Sequence, residues 1–308
     1  MVQEVDSMSR SIMVGLDGSS ESRAAAEWAA HEAKLRGLSV RLVHVWEPVA
    51  EPLAQAPLLG TESLKHWSEQ IPRGVAEGLR ARHPGVDVAA LQLAGVPGDV
   101  LVDVARDAEL VALGSRGLSG IGGFMLGSVG QSVIARTEVP VVLVRSGERA
   151  ADEHALDTAG APSAATRFRP VLLGLDTRSP DDTVVAFAFE EAARRDAALR
   201  VLHAWTPPPS HVYGLSDRVS MHDELARANA AELTEALRPW RDKYPAVEVI
   251  EASRAGNAAD QLVSSSRYAS LVVVGRRIRR SRFGVHIGPV AHGVLHHAAT
   301  PVAVVAHG

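Results

Sequence analysis

The chain of 308 residues contains no cysteine. That excludes disulfides, iron–sulfur clusters and thiol nucleophiles. No charge of one sign dominates: 32 Lys and Arg stand against 36 Asp and Glu, a net charge of −4. No global basic field therefore draws the protein to nucleic acid or anionic lipid. No apolar run is long enough to span a bilayer, and the first ten residues lack the apolar core of a signal peptide. A cytoplasmic protein with no membrane partner is expected. Hydrophobic content of 46% and charged content of 22% are those of an ordinary globular protein. The length is generous for one domain and comfortable for two.

Glycine is abundant in one place. Residues 114, 117, 120, 122, 123, 127 and 130 are all glycine, after the apolar run Leu110–Leu113 and before a helical pattern starting near Val129. So much glycine between a strand and a helix costs conformational entropy, so something should require backbone close to a bulky ligand. A helix start adds unpaired N–H donors and partial positive charge, which suit phosphate. A nucleotide phosphate site is expected. The alternative is a flexible surface loop, against which the flanking strand and helix argue.

The chain is also written twice. Ile12–Asp17 recurs as Val171–Asp176 and Arg41–Trp46 as Arg200–Trp205, both at an offset of 159. Leu110–Gly114 recurs as Leu271–Gly275 and Val139–Val144 as Thr300–Val305, both at 161. A period near 160 means duplication of a whole domain. The first domain is placed at residues 9–146, a linker at 147–168 and the second domain at 169–308. The first copy should carry strands near 11–16, 40–46, 86–93, 109–114 and 140–145, with helices near 20–36, 62–82, 98–107 and 128–136. Ser19 and Ser20 should cap the first helix, and Pro97-Gly98-Asp99 the third. Continuously apolar strands alternating with helices predict an α/β fold. It comprises two tandem doubly wound domains, each a five-stranded parallel sheet with helices on both faces. For strand order 3-2-1-4-5 the ligand crevice lies between strands one and four, where Asp17 and the glycine-rich loop converge.

These residues resemble the universal stress protein family, in its tandem, ATP-binding form. Gly114, Gly117, Gly127 and Ser128 fit the family pattern Gly-x2-Gly-x9-Gly-(Ser/Thr), and Asp17-Gly18-Ser19, His44-Val45-Trp46 and the terminal Val-Pro-Val strand also look like it. The resemblance implies ATP, with Mg, as the ligand. It implies that Asp17 lies near ribose or the metal, that Val45 lines the adenine pocket, and that Leu113 and Gly114 border the nucleotide. Gly117, Gly127, Ser128 and Val129 would offer amides to phosphate, and Arg116 could add charge. Gly95-Val96-Pro97 could close the adenine side. A homodimer is implied through the apolar fifth strand. The expected role is regulation through nucleotide-dependent conformation or partner binding, with at most weak ATPase activity. Alternatives are an adenine-nucleotide α-hydrolase, a flavin carrier and a nucleotide-free dimerising scaffold.

In the second copy Gly275 and Gly288 keep the pattern, but Ile278 and Pro289 replace the second glycine and the Ser/Thr. Isoleucine is bulky and disfavours positive φ, and proline removes an N–H donor. Asp176, Ala204, Gly275, Arg277 and Gly288 mark the corresponding crevice. Arg276, Arg277, Arg279, Arg280 and Arg282 crowd its loop, either as a solvated segment or as an anion site; no interleaved aromatics point to nucleic acid. His292, His296 and His297 have zinc-compatible spacing without a third ligand, and no metal is expected there. His286-Ile-Gly288 echoes a synthetase signature in the wrong place. His44 and His203 are expected to be structural, and Trp28, Trp67 and Trp240 to pack in cores.

Overall fold

The computed structural model describes residues 10–47, 61–117, 124–125, 127–147, 149–207, 218–278 and 287–308. The chain divides into two compact units, residues 1–148 and 149–308.

In the first unit, β1 (Ser11–Leu16), α1 (Ser20–Arg36), β2 (Ser39–Trp46), α2 (Thr61–Arg82), β3 (Val88–Ala94) and α3 (Pro97–Ala105) lead to β4 (Leu110–Gly117). A two-residue strand β5 (Phe124–Met125), α4 (Ser128–Arg136) and β6 (Val141–Arg145) follow. The parallel strands lie in the order β3-β2-β1-β4-β6. Val14 stands beside Leu42 on one side and Ala112 on the other. Ile12, Met13, Val14, Val111 and Ala112 have no solvent exposure, as continuous apolar strands covered on both faces require.

The second unit repeats this with β7 (Val171–Gly174), α5 (Asp182–Arg194), β8 (Leu199–Trp205), α6 (Arg218–Lys243) and β9 (Val249–Ala255). It continues through α7 (Ala258–Ser266), β10 (Leu271–Arg277), α8 (Pro289–His297) and β11 (Val302–His307). Its strand order is β9-β8-β7-β10-β11, all parallel. The two orders are the same doubly wound pattern.

Local chemistry explains the helix ends. Ser19 caps α1, its side chain accepting from Ser22 N–H at 3.1 Å. The cap expected from Pro97-Gly98-Asp99 differs. Val96 is the N-cap of α3, without a side-chain bond, Pro97 supplies the first helical residue, and the Asp99 carboxylate pairs with Arg136 on α4. Asp99 sits too far inside the first turn to cap it and instead ties two helices together. The helix after each first strand ends alike. Buried Glu32 and Arg36 form an ion pair of 2.6 Å, and buried Glu191 and Arg195 form its counterpart. Left-handed residues follow, Gly37 at φ 66° and Asp196 at φ 46°.

Residues 149–168, between the repeats, fold back on themselves. A 3-10 turn (Ala150–Glu153) precedes antiparallel bridges from His154 to Phe168 and from Leu156 to Pro162. The Arg195 guanidinium lies 5.8 Å from the centre of the Phe168 ring, within the range of cation–π attraction. This segment therefore packs on the second unit.

The α1–α2 contacts of the first unit carry titratable groups. The His31 and His83 rings meet edge to face at 4.6 Å, and Glu27 accepts from His83 Nε2 at 2.8 Å and pairs with Arg82. In the second unit the aromatic rings of Phe189, Trp240 and Tyr244 stack together instead. Burial lowers the His31 pKa, and nearby His83 and Lys34 add to that against the Glu27 carbonyl and carboxylate. Burial of Glu27 acts to raise its pKa, but hydrogen bonds from Arg82 and His83 outweigh it and hold the carboxyl below its ordinary value. On acidification the unfolded chain takes up protons that folded His31, and then Glu27, resist, so stability falls with pH. Thermal unfolding of the first unit should shift downward from about pH 7 to about pH 5, and His31→Gln should flatten that slope. Separately, Asp196→Gly should raise the unfolding free energy by about 1 kcal/mol, because glycine relieves the left-handed strain at an exposed turn; denaturant titration reads it.

Candidate functional site

The reversal of strand order in the first unit falls between β1 and β4, where consecutive connections leave the sheet on opposite faces. A cavity of about 310 Å³ opens there. Asp17, at the end of β1, Val45, near the end of β2, and Leu113 and Gly114 in β4 all line it. Gly127, Ser128 and Val129 line it from the start of α4. Seven of the nine positions expected in the first copy thus share one wall. The other two, Arg116 and Gly117, continue β4, where their backbone pairs antiparallel with Met125 and Phe124. The strand was expected to stop at Gly114; the β5 pairing extends it. Residues 118–123 lie outside the described residues.

The two motif glycines at this wall are glycine for different reasons. A Cβ on Gly114 would lie 2.5 Å from the Glu21 carbonyl carbon and 2.6 Å from Ser22 N. The close neighbour of Gly114 is thus the backbone of α1, not a ligand. Gly127 is the opposite case: among the described residues a Cβ there would meet nothing within 4 Å, and its φ of −63° suits any residue. Among the described residues neither packing nor backbone conformation demands glycine at 127. Gln131 N–H donates to Gly127 O at 3.0 Å, closing the first turn. The three amides before it, at 128–130, have no partner within a helix of this geometry.

Asp17 is held by its own turn, its carboxylate accepting from Ser19 N–H at 3.0 Å and from the Ser19 hydroxyl. His44 Nδ1 lies 2.8 Å from Leu16 O, and His203 Nδ1 lies 3.1 Å from Leu175 O. A carbonyl only accepts, so Nδ1 carries a proton in both rings. Each histidine clamps the strand end that presents the aspartate, and each ring also forms part of its cavity wall. Pro97, from the Gly95-Val96-Pro97 turn expected on the adenine side, also lines the first wall. Ser22, Val43 and Leu101 complete much of it; nothing in their spacing marks them, since three elements far apart in sequence bring them together. Trp28 is buried as expected and Trp240 stacks on Phe189; the Trp67 side chain lies outside the described residues.

The second crevice is larger, about 580 Å³. Asp176, Ala204, Gly275 and Arg277 line it, as do Val290 and Ala291 at the start of α8. The N-cap Gly288 has φ −64° and ψ 158°, against −63° and 157° at Gly127. Pro289 occupies the first helical position, where proline fits without distortion. The helix start keeps its shape and loses one donor. Ile278 N–H donates to His307 O at 2.6 Å, so that amide is turned into the sheet. Arg276 is buried, because side chains alternate along β10; it does not belong to the charged loop surface. Arg279, Arg280, Arg282 and His286 lie outside the described residues. His292 and His296 rings are 4.3 Å apart. Among the described residues no group of three or more His, Asp or Glu side chains could hold a metal ion, and no helix is long and apolar enough to cross a membrane.

Residues 8–145 and 167–306 each match the universal stress protein family. The chain belongs to the universal stress protein family. A universal stress protein of Mycolicibacterium smegmatis is 32% identical over 305 residues, covering 96% of both chains. One of Mycobacterium tuberculosis is 33% identical over 302 residues, covering 95% of this chain and 96% of the relative. The crystal structure of a universal stress protein from Archaeoglobus fulgidus superposes with a TM-score of 0.69 at 18% identity, over 97% of this chain and 99% of that one. That likeness is one of fold.

Gly114→Ala should cost about 2 kcal/mol or more, because α1 must move off the sheet. Gly127→Ala should leave the denaturation midpoint nearly unchanged. Equal effects in chemical denaturation would contradict the distinction between the two glycines.

Proposed function

We propose that the first copy binds ATP, and that the protein acts through nucleotide-dependent conformation or partner binding rather than turnover. The observation that carries this is the opening at Gly127: a helix start whose first residues line a cavity, preceded by a residue with no side chain and, among the described residues, nothing within 4 Å of where one would stand. Such an end attracts phosphate through both its N–H groups and its dipole. Val45, Leu101 and Leu113 supply the apolar wall against which a base would rest, and Asp17, in the same wall, would meet a ribose hydroxyl or a phosphate-bound Mg²⁺. Asp17 is the one carboxylate among the described wall residues, so a metal would arrive bound to phosphate rather than wait in a protein cage. A homodimer and a cytoplasmic setting belong to the same proposal and are supported by the family resemblance.

Denaturing the purified protein and identifying released nucleotide by mass spectrometry should yield about one ATP per chain. Gly127→Val should abolish that ATP while leaving the circular dichroism spectrum and unfolding midpoint intact, since its side chain enters open space at the phosphate end. ATP retained in full by the folded variant would sink the proposal.

A further inference from the structure

α2 carries proline and glycine at its middle. Pro72 stands inside the helix, where it has no N–H for the carbonyl of residue 68 and its ring crowds that carbonyl. Gly74 follows two residues later. A Cβ there would meet nothing within 4 Å among the described residues, and its φ is not positive. Glycine inside a helix lowers its stability relative to alanine, through backbone entropy. α6, which takes the same place in the second unit, contains no glycine, and its proline, Pro239, falls close to the helix end at Lys243.

The second half of α2 is anchored. Ala76 and Leu79 are fully buried, the Arg80 guanidinium donates to Val88 O on β3, and Arg82 and His83 converge on Glu27 of α1. Beside it a groove of about 440 Å³ stays open between the helices, lined by Arg23 and Glu27 of α1 and by Ile71, Gly74, Gly78 and Arg82 of α2. From the first half, Ile71 reaches the turn that follows β1. A Cβ on Gly18, at φ 84°, would stand 3.4 Å from Ile71 Cδ1, and in that turn the Asp17 carboxylate accepts from Ser19 N–H. The second unit fastens the same place with a polar bond: Thr177, the counterpart of Gly18 at the offset of 159, donates from Oγ1 to Glu232 Oε2 on α6 at 3.3 Å.

We propose that residues 61–71 form a half-helix hinged at Pro72–Gly74, which closes on the Asp17-Gly18-Ser19 turn through Ile71 and is held closed by nucleotide in the first crevice. The inference rests on ATP binding there, and names the segment whose position the nucleotide sets. Asp17 is the link, since it lines the cavity while the turn it holds carries Gly18 against Ile71. A ligand that fixes this turn favours the closed half-helix, and by linkage the closed half-helix favours the ligand to the same degree. A few residues suffice to absorb the change of backbone angle, and the open groove beside Gly74 leaves room for it. The second half stays in place, held by its buried residues and by Glu27.

Hydrogen–deuterium exchange of the full chain, resolved by peptide in a mass spectrometer, tests this. Without nucleotide, amides 66–71 should exchange together and at least about tenfold faster than amides 76–82, with a step at the hinge rather than a gradual fall from the helix start. Gly74→Ala should slow amides 66–71 about fivefold and leave 76–82 unchanged. Saturating ATP should slow amides 66–71 in the wild-type chain, and Ile71→Ala should remove that gain while ATP stays bound. Uniform exchange along α2, or a Gly74→Ala chain with unaltered exchange at 66–71, would overturn the hinge. Bound ATP without slowing at 66–71, or full slowing in folded Ile71→Ala, would overturn its link to the crevice. Nucleotide content is measured in the same samples: a chain that shows the step and the Gly74→Ala effect but holds no ATP would sink the ATP reading and keep the hinge.

Discussion

The approach of α1 to β4 at Gly114 is the contact on which the first crevice depends. With no Cβ in the way, the helix backbone at Glu21 and Ser22 comes to van der Waals distance of the strand. That seats the first turn of α1 over the point where the sheet changes direction. Asp17 and Ser19, joined by their own hydrogen bonds, are thereby fixed opposite the start of α4. A side chain at 114 would lift α1, and the wall made by β1, β4 and two helix ends would no longer close. The His44 bond to Leu16 O holds the same strand end from the β2 side. The crevice is thus a consequence of close packing between rigid elements rather than of the mobile character often ascribed to glycine.

The second unit shows how the same scaffold accepts a different mouth. The Glu–Arg pair that ends the first helix, the left-handed residue after it, and the histidine clamp all recur at corresponding positions. These features hold the sheet and helices together, and of them the histidine rings also reach a cavity wall. Besides the contrast between the α1–α2 and α5–α6 contacts, the copies differ at the carboxyl ends of the strands. Pro180 shortens a helix, a space beside Gly275 is taken by the side chains of His307 and Val184, and Arg178 and Arg277 stand in the wall. Fold-determining packing and ligand-determining loops are separable because loops at a sheet end can change without disturbing the buried strands.

Much of this architecture was legible in the residues. Repetition at 159 and 161 announces two domains, and the uninterrupted apolar runs announce parallel strands buried on both faces. The crevice position follows once the strand order is known, and most of the expected first-copy residues do meet there. Less accessible was the reason for each glycine. Gly114 and Gly127 look alike in a motif, yet one is crowded by backbone and the other faces open space. The extension of β4 to Gly117 was likewise hidden, since it comes from pairing with β5 rather than from propensity. Arg276 belongs with its arginine neighbours in the chain but points into the interior, because strand alternation decides its side.

Periodicity and repetition, which act along the chain, were enough to set the element order, the duplication and the doubly wound class. The sizes of the two crevices, and the company of arginines and carboxylates in the wall of one of them, were settled only when distant segments met. Those properties are sums over side chains from four or five elements, and a one-dimensional pattern carries no record of the distances between them.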